Sequence, residues 1–383
     1  MRNHIVAGPK RAAATPAATV GDGPARAPDG FIRAEPVSIR MSDVTNMLVD
    51  GEWRTGVRRD TGDSGEFERT ETSFRDWIDG SVPAPGADPV DNPRFPAEPD
   101  RYHVYICRAC PWAHRVALTR SLTGLEDAIS LSLTRPERYD EGWEFSESEP
   151  DPLYGADYLR EIYRRADDDY TGRVTVPVLW DKREETIVNN ESEEVMRMLD
   201  TAFDGLGNGV DLWPEGYREA VDERIADIYP RINDGVYRAG FASTQAAYDE
   251  AVDDLFEALD EYEELLRERR YLAGDRLTEA DVAMFATLVR FDHVYHTHFR
   301  CNRRGIHEYE HLWAYTRDLY RTPGVAETVN MDHITRHYYG SHESLNPKRL
   351  VPTGPDIDFT EPHERDRLPG GPPAALTPDA SAD

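Results

Sequence analysis

The segment Cys110-Pro-Trp-Ala-His-Arg115 sets a thiol immediately before a proline and a run of residues with helical spacing. Proline suits the first helical position, where its missing N–H would have no partner, so Cys110 falls where a strand hands over to a helix N-terminus. The unpaired N–H groups and the dipole at such a terminus favour a thiolate over a thiol. Arg108 and Arg115 add positive charge in the same stretch. Three residues on, where a dithiol oxidoreductase carries its second cysteine, stands Ala113. Cys110 is therefore read as a nucleophile that takes its second sulfur from a small molecule. A buried structural cysteine is the plainer alternative.

His103, Cys107, Cys110 and His114 are also spaced like zinc ligands. A strand followed by a helix does not easily bring four such side chains to one tetrahedral point, so no metal is expected. A Cys107–Cys110 disulfide stays open. Val176-Pro177 reads as a cis-proline turn next to the cysteine, which leaves the Val176 backbone to pair, strand-fashion, with a peptide-like thiol such as glutathione. An ordinary trans-proline at a sheet edge is the alternative. Glu191-Ser192 at the next helix start suits a γ-glutamyl group, the N-terminus and Ser192 holding its carboxylate and Glu191 its amine. Such a helix start is common by itself; Cys110 and Pro177 upstream make the combination specific.

Positioning these residues requires a particular order of elements. Tyr102–Ile106 is β-branched and aromatic and reads as a strand, followed by a helix from Pro111 to Leu122 and a second strand near Ile129–Leu133. Residues 134–172 form a long polar insertion carrying Trp143. Val174–Trp180, interrupted by Pro177, and Glu185–Val188 read as a hairpin, and Asn190 as the cap of a helix through Leu199, with Glu193 completing a capping box. Strand–helix–strand followed by strand–strand–helix is the order of a thioredoxin-like α/β domain, placed at 101–205. Val252, Leu255, Phe256, Leu259, Tyr262, Leu265 and Leu266 then repeat on one helical face, and Thr278-Glu-Ala-Asp281 opens another helix, so 206–350 is expected to be all-α. Residues 1–40 are expected to be a disordered extension, 41–100 a loop-rich arm and 351–383 an extended or disordered tail.

The bulk composition excludes several classes. Asp and Glu number 73 against 44 Lys and Arg, a formal charge of −29, which is the wrong sign for nucleic-acid binding. No run approaches the roughly 18 apolar residues of a membrane span, and there is no secretory apolar segment at the start. Three cysteines in 383 residues suit a reducing, cytoplasmic compartment. The acidity is read as adaptation to strong salt, where screening shortens self-repulsion to a few ångströms.

The chain resembles the glutathionyl-hydroquinone reductases, the Xi class of glutathione transferases. The resemblance runs from about Ser73 to Pro352, on Cys110–Arg115, Gly142-Trp143, Gly172–Asp181, Ile187–Ser192, Gly235–Ala242, Thr287–Asp292 and His337–Tyr339. It implies a thioredoxin-like domain followed by an all-helical one, a homodimer, and reductive removal of glutathione from hydroquinone thioethers through a mixed disulfide on Cys110. By the same resemblance Tyr237 exchanges a proton with the ring, while Tyr295 and Tyr338 line the quinol pocket and help hold the thiolate. Trp143, Arg173, Val174, Thr175, Val176, Glu191 and Ser192 bind the thiol co-substrate, glutathione or, in a halophile, γ-glutamylcysteine. Cys107, the first 40 residues and the acidity depart from the family pattern. A broader thiol transferase or dehydroascorbate reductase, and a non-catalytic scaffold, are the competing readings.

Overall fold

In the computed structural model, residues 44–58, 72–81 and 95–377 are described; the expectations for residues 1–40 and the last six residues lie outside them. The N-terminal arm is less loop-like than its prolines suggest. Asp50 and Gly51, with φ of 48° and 72°, turn the chain between β1 (Val44–Val49) and β2 (Glu52–Arg58). An Asp-Gly pair with positive φ at both positions matches the twist of an antiparallel hairpin. This hairpin braces the polar insertion. Leu48 exchanges backbone hydrogen bonds with Gly172, Gly51 N–H donates to the Tyr170 carbonyl, and the Trp53 indole N–H donates to the Asp140 carbonyl.

The central strand β3 (Tyr102–Ile106) has every side chain buried, because both of its faces are covered. It pairs in parallel with β4 (Ser130–Leu133) and antiparallel with β5 (Val178–Asp181), which pairs antiparallel with β6 (Thr186–Asn189), giving the order β4-β3-β5-β6. Helix α1 (Pro111–Leu122) connects β3 to β4, α2 (Leu159–Ala166) lies in the insertion, and α3 (Ser192–Thr201) follows β6. The sheet strand expected from Val174 begins only at Val178, after Pro177, which has no N–H to give a ladder. Helix α3 is capped one residue later than expected. Its N-cap is Glu191, whose carboxylate accepts the Ser192 N–H at 3.1 Å. Asn190 instead donates its amide to the Tyr163 hydroxyl at 2.8 Å and so ties the helix start to α2.

The second domain is helical as expected: α4 (Arg218–Ile228), α5 (Gly235–Phe241), α6 (Gln245–Leu266), α7 (Glu279–Arg290), a short α8 (His296–His298), α9 (Glu310–Tyr320) and α10 (Met331–Ser341). The Asp281 carboxylate accepts the Thr278 N–H at 2.9 Å, so the start of α7 forms as its sequence indicates. Two π-helical turns, Tyr229–Asn233 and Phe291–Tyr295, interrupt the helical region. The side chain of Trp112 packs against both the sheet core and the helical core.

The tail departs from the expected disorder as far as residue 377. Arg365 is buried and donates to the carbonyls of Leu266 and Arg270, at the C-terminal end of α6, at 3.0 and 2.7 Å. Phe359 is also buried, against Trp313 and Tyr320. The cluster Asp318, His363 and Asp366 belongs to the same clasp, since Arg270 donates to both Asp318 oxygens and to Asp366.

Candidate active site

Cys110 is the N-cap of α1, with Pro111 at the first helical position. Its N–H donates to the Cys107 carbonyl at 3.0 Å, and its own carbonyl accepts the His114 N–H at 2.9 Å. The Sγ lies 3.7 Å from the Val176 carbonyl, and the Val176–Pro177 bond is cis. Among the described residues the Val176 N–H has no acceptor. A strand-like edge is therefore presented to any peptide-like group docked against the thiol. Glu191 and Ser192 sit at the N-terminus of α3; burial raises the pKa of the Glu191 carboxyl against the opposing influence of Arg75. Val174 is buried, Arg173 is half-buried, and Thr175 is locked by Tyr163, whose hydroxyl donates to the Thr175 carbonyl and accepts its N–H. Trp143, in the insertion, stacks on His337 with ring centroids 5.3 Å apart.

On the helical side three tyrosines meet. Tyr237 follows the first π turn, Tyr295 ends the second, and Tyr338 lies on α10. The Tyr338 hydroxyl is 2.5 Å from that of Tyr237 and 2.9 Å from that of Tyr295. Burial drives the Tyr338 phenol well above its ordinary pKa, and the neighbouring phenols push it the same way. Tyr295 is raised by burial too, with the Arg290 guanidinium opposing the shift. Trp112, two residues beyond the nucleophile, stacks towards Tyr237 at 6.1 Å. A buried sulfur at a helix start, an open backbone edge and a hydrogen-bonded phenol cluster together suit nucleophilic attack coupled to proton delivery.

The sequence models of the glutathione S-transferase N-terminal and C-terminal domains match residues 109–202 and 245–318. The Xi Class GST from Natrialba magadii has a solved structure at 57% identity and TM-score 0.77, covering 85% of this chain and 98% of that one. Glutathionyl-hydroquinone reductase YqjG of Escherichia coli is 48% identical over 324 residues, 83% of this chain and 98% of its own length. Its glutathione-bound structure superposes with TM-score 0.75. The chain belongs to the Xi-class glutathione transferases.

Within this Xi-class site Cys107 has a different character from Cys110. It is buried, burial pushes its thiol pKa up to about 12, and its S–H donates to the Arg135 carbonyl at 3.6 Å. A thiol so held is a poor nucleophile and a poor leaving group for exchange. Cys107→Ala is expected to leave kcat/KM for a glutathionyl-hydroquinone within about twofold of wild type. A tenfold fall measured in the same assay, at about the same stability, would return a dithiol mechanism to consideration. The four residues with zinc-like spacing turn to separate partners: His103 to Ser130, Cys107 to Arg135, Cys110 to Val176 and His114 to Arg290 and Thr328.

Two arginines of the Xi-class site escape sequence reasoning. Arg290, at the end of α7, is fully buried and donates to the carbonyls of Arg108, Ala109 and Ala286 at 2.9, 3.0 and 2.6 Å. It also lies 2.9 Å from His114 Nδ1, and burial together with this cation holds the His114 pKa well below its usual range. Neutral His114 accepts from Arg290 and donates through Nε2 to Thr328 at 2.8 Å. The helical domain thus grips the two peptide carbonyls that precede the nucleophile. The second arginine is Arg138. A charged residue in a polar segment reads as a solvated surface group, so neither arginine stands out before the fold is known.

Proposed function

We propose that this Xi-class transferase is a thiol-dependent reductase that removes glutathione, or γ-glutamylcysteine, from S-conjugated hydroquinones. The observation that carries this reading is the placement of the Cys110 sulfur at the start of α1, 3.7 Å from the Val176 carbonyl. The tyrosine triad belongs to the facing domain. The relatives named glutathionyl-hydroquinone reductase, from E. coli and from Sphingobium chlorophenolicum, support the same substrate class.

In the first step the Cys110 thiolate attacks the thioether sulfur. A sulfur–sulfur bond forms, the sulfur–aryl bond breaks, and its electron pair stays with the ring carbon, which takes a proton from Tyr237. The ring is thereby reduced and the two sulfurs are oxidised to a mixed disulfide. In the second step a free thiol gives up its proton, which restores Tyr237, and its thiolate attacks the cysteinyl sulfur of the bound thiol, releasing the low-molecular-weight disulfide and restoring the Cys110 thiolate. Helix N-terminal N–H groups stabilise the thiolate in both steps. Ser192 and the N-terminus of α3 hold the γ-glutamyl carboxylate, Glu191 its amine, and Val176 its peptide; Arg173, Val174, Thr175 and Trp143 complete the thiol-binding surface. The test is stoichiometric. With a glutathionyl-hydroquinone and excess glutathione, one free hydroquinone and one glutathione disulfide should form per turnover. Without added thiol, intact-protein mass spectrometry should find Cys110 carrying one glutathione. Turnover without disulfide formation would refute the scheme.

The charge of −29 belongs to the same proposal as adaptation to strong salt. Molar potassium chloride is expected to raise the Tm and the activity, because it screens repulsion within a Debye length of about 3 Å. Under those conditions γ-glutamylcysteine should turn over at least as well as glutathione. A Tm that falls with added salt would remove the halophilic reading. The three free cysteines suit a cytoplasmic setting, and a homodimer, checked by sedimentation in the same salt, completes it.

A further inference from the structure

The polar insertion is pinned between the nucleophile and the helix that carries Tyr338. At one end the Cys107 thiol donates to the Arg135 carbonyl. At the other, His337 Nδ1 donates to the Pro136 carbonyl at 2.6 Å, Glu137 pairs with Arg336, and the Arg138 N–H donates to Ser341 Oγ at 2.9 Å. Four consecutive residues therefore bridge the end of β3 and α10, and they fix where the Arg138 side chain starts. Its guanidinium lies over the Trp143 ring, 5.4 Å from the centroid, and Trp143 in turn stacks on His337.

Two features of this place call for a ligand. Among the described residues no carboxylate pairs with Arg138, whereas the neighbouring Arg135 and Arg336 pair with Glu144 and Glu137. Burial works against its charge, and the groups close enough to favour that charge are Cys110, Cys107 and Tyr237, at and beside the reaction site. Trp143 is 5% exposed, and among the described residues its buried indole N–H has no acceptor. A buried donor costs free energy until an acceptor reaches it, and the half-buried cation over the same ring favours an acceptor that carries negative charge. Neither group can accept a hydrogen bond, so the pair selects against neutral donors and for a carboxylate.

We propose that Arg138 and the Trp143 indole N–H form a carboxylate-binding subsite beside Cys110. It rests on the reductase reading for its substrates, and it adds a specificity-determining residue, Arg138, to that site. The carboxylate has two sources in this chemistry: the C-terminal carboxylate of the thiol, or a carboxylate carried on the hydroquinone ring.

Binding and turnover separate them. S-methylglutathione cannot react, so calorimetric titration of this compound and its glycine ethyl ester reads the thiol carboxylate alone. The wild type should prefer the free acid on the order of 10- to 100-fold, the range of one charge-assisted hydrogen bond, and Arg138→Gln should erase that preference. In the second arm, KM is compared for glutathionyl conjugates of plain and of carboxylated hydroquinone. Loss of preference in the first arm assigns the thiol; loss in the second assigns the ring. Arg138→Lys should restore part of whichever preference is lost, and Trp143→Phe should lower it while keeping the stacked ring. If the acid-to-ester ratio and the KM ratio are both the same in wild type and Arg138→Gln, the subsite does not exist. The titration needs no catalysis, so it stands even if the wild type fails to reduce any glutathionyl-hydroquinone, a result that would refute only the reductase reading.

Discussion

Cys110→Ala is expected to abolish thiol-dependent reduction of glutathionyl-hydroquinones, with kcat falling on the order of 10⁵-fold, as when the nucleophile of a covalent mechanism is deleted. No neighbouring group replaces it. Cys107 is buried with its thiol held protonated, and Cys301 is buried in the helical domain with its pKa likewise raised by burial. The variant should fold normally, because the Cys110 side chain makes no capping hydrogen bond to α1 and the backbone bonds to Cys107 and His114 survive. S-methylglutathione should still bind, since the γ-glutamyl and peptide contacts proposed for it lie on α3 and at Val176. A Cys110→Ala enzyme with an unchanged Tm, intact binding and activity within about a hundredfold of wild type would move the nucleophile elsewhere. Cys110→Ser sharpens the test: a hydroxyl keeps the hydrogen-bonding geometry but is not ionised at a helix N-terminus, so it too should be inactive.

Much of the thiol side was legible because local rules decide it. Pro111 places the helix start, Cys110 is the residue before it, and Tyr102–Ile106 has the composition of a buried strand. The start of β5 was misjudged for an equally local reason, as Pro177 breaks the ladder that Val174 and Val176 would have joined by composition alone. The Asp50-Gly51 turn is a strong hairpin signal, but the expectation for the arm rests on its prolines, which lie between residues 83 and 96. Other features have no local signature. Tyr237 and Tyr338 meet although they are 101 residues apart, and only the family resemblance drew attention to them. Tyr237 follows one π turn and Tyr295 ends the other, and an expectation of plain helix over 206–350 contains neither. Arg290 and Arg365 are invisible for a different reason. Their partners are backbone carbonyls of distant segments, and a carbonyl carries no residue identity.

Tyr237→Phe is expected to slow the first half-reaction by about 10²- to 10⁴-fold, the usual contribution of a positioned general acid. Of the three phenols Tyr237 is the most exposed, at 9% against 0% for Tyr295 and 1% for Tyr338, so it is the one able to meet a ring. Tyr338 hydrogen-bonds both others and can pass a proton between them. The raised pKa values of Tyr295 and Tyr338 mean that these groups stay protonated at pH values where a free tyrosine, with a pKa near 10, would ionise. As pH rises, the rate should therefore climb with the Cys110 thiolate, while Tyr338 still holds the proton it can pass to Tyr237. The second half-reaction involves only sulfur and needs no ring protonation. Reduction of the isolated Cys110–glutathione mixed disulfide by free thiol should thus run at the wild-type rate in Tyr237→Phe. Equal losses in both half-reactions would make Tyr237 a packing residue. A selective loss in the first would separate the tyrosine triad, which handles protons, from the helix start, which handles sulfur.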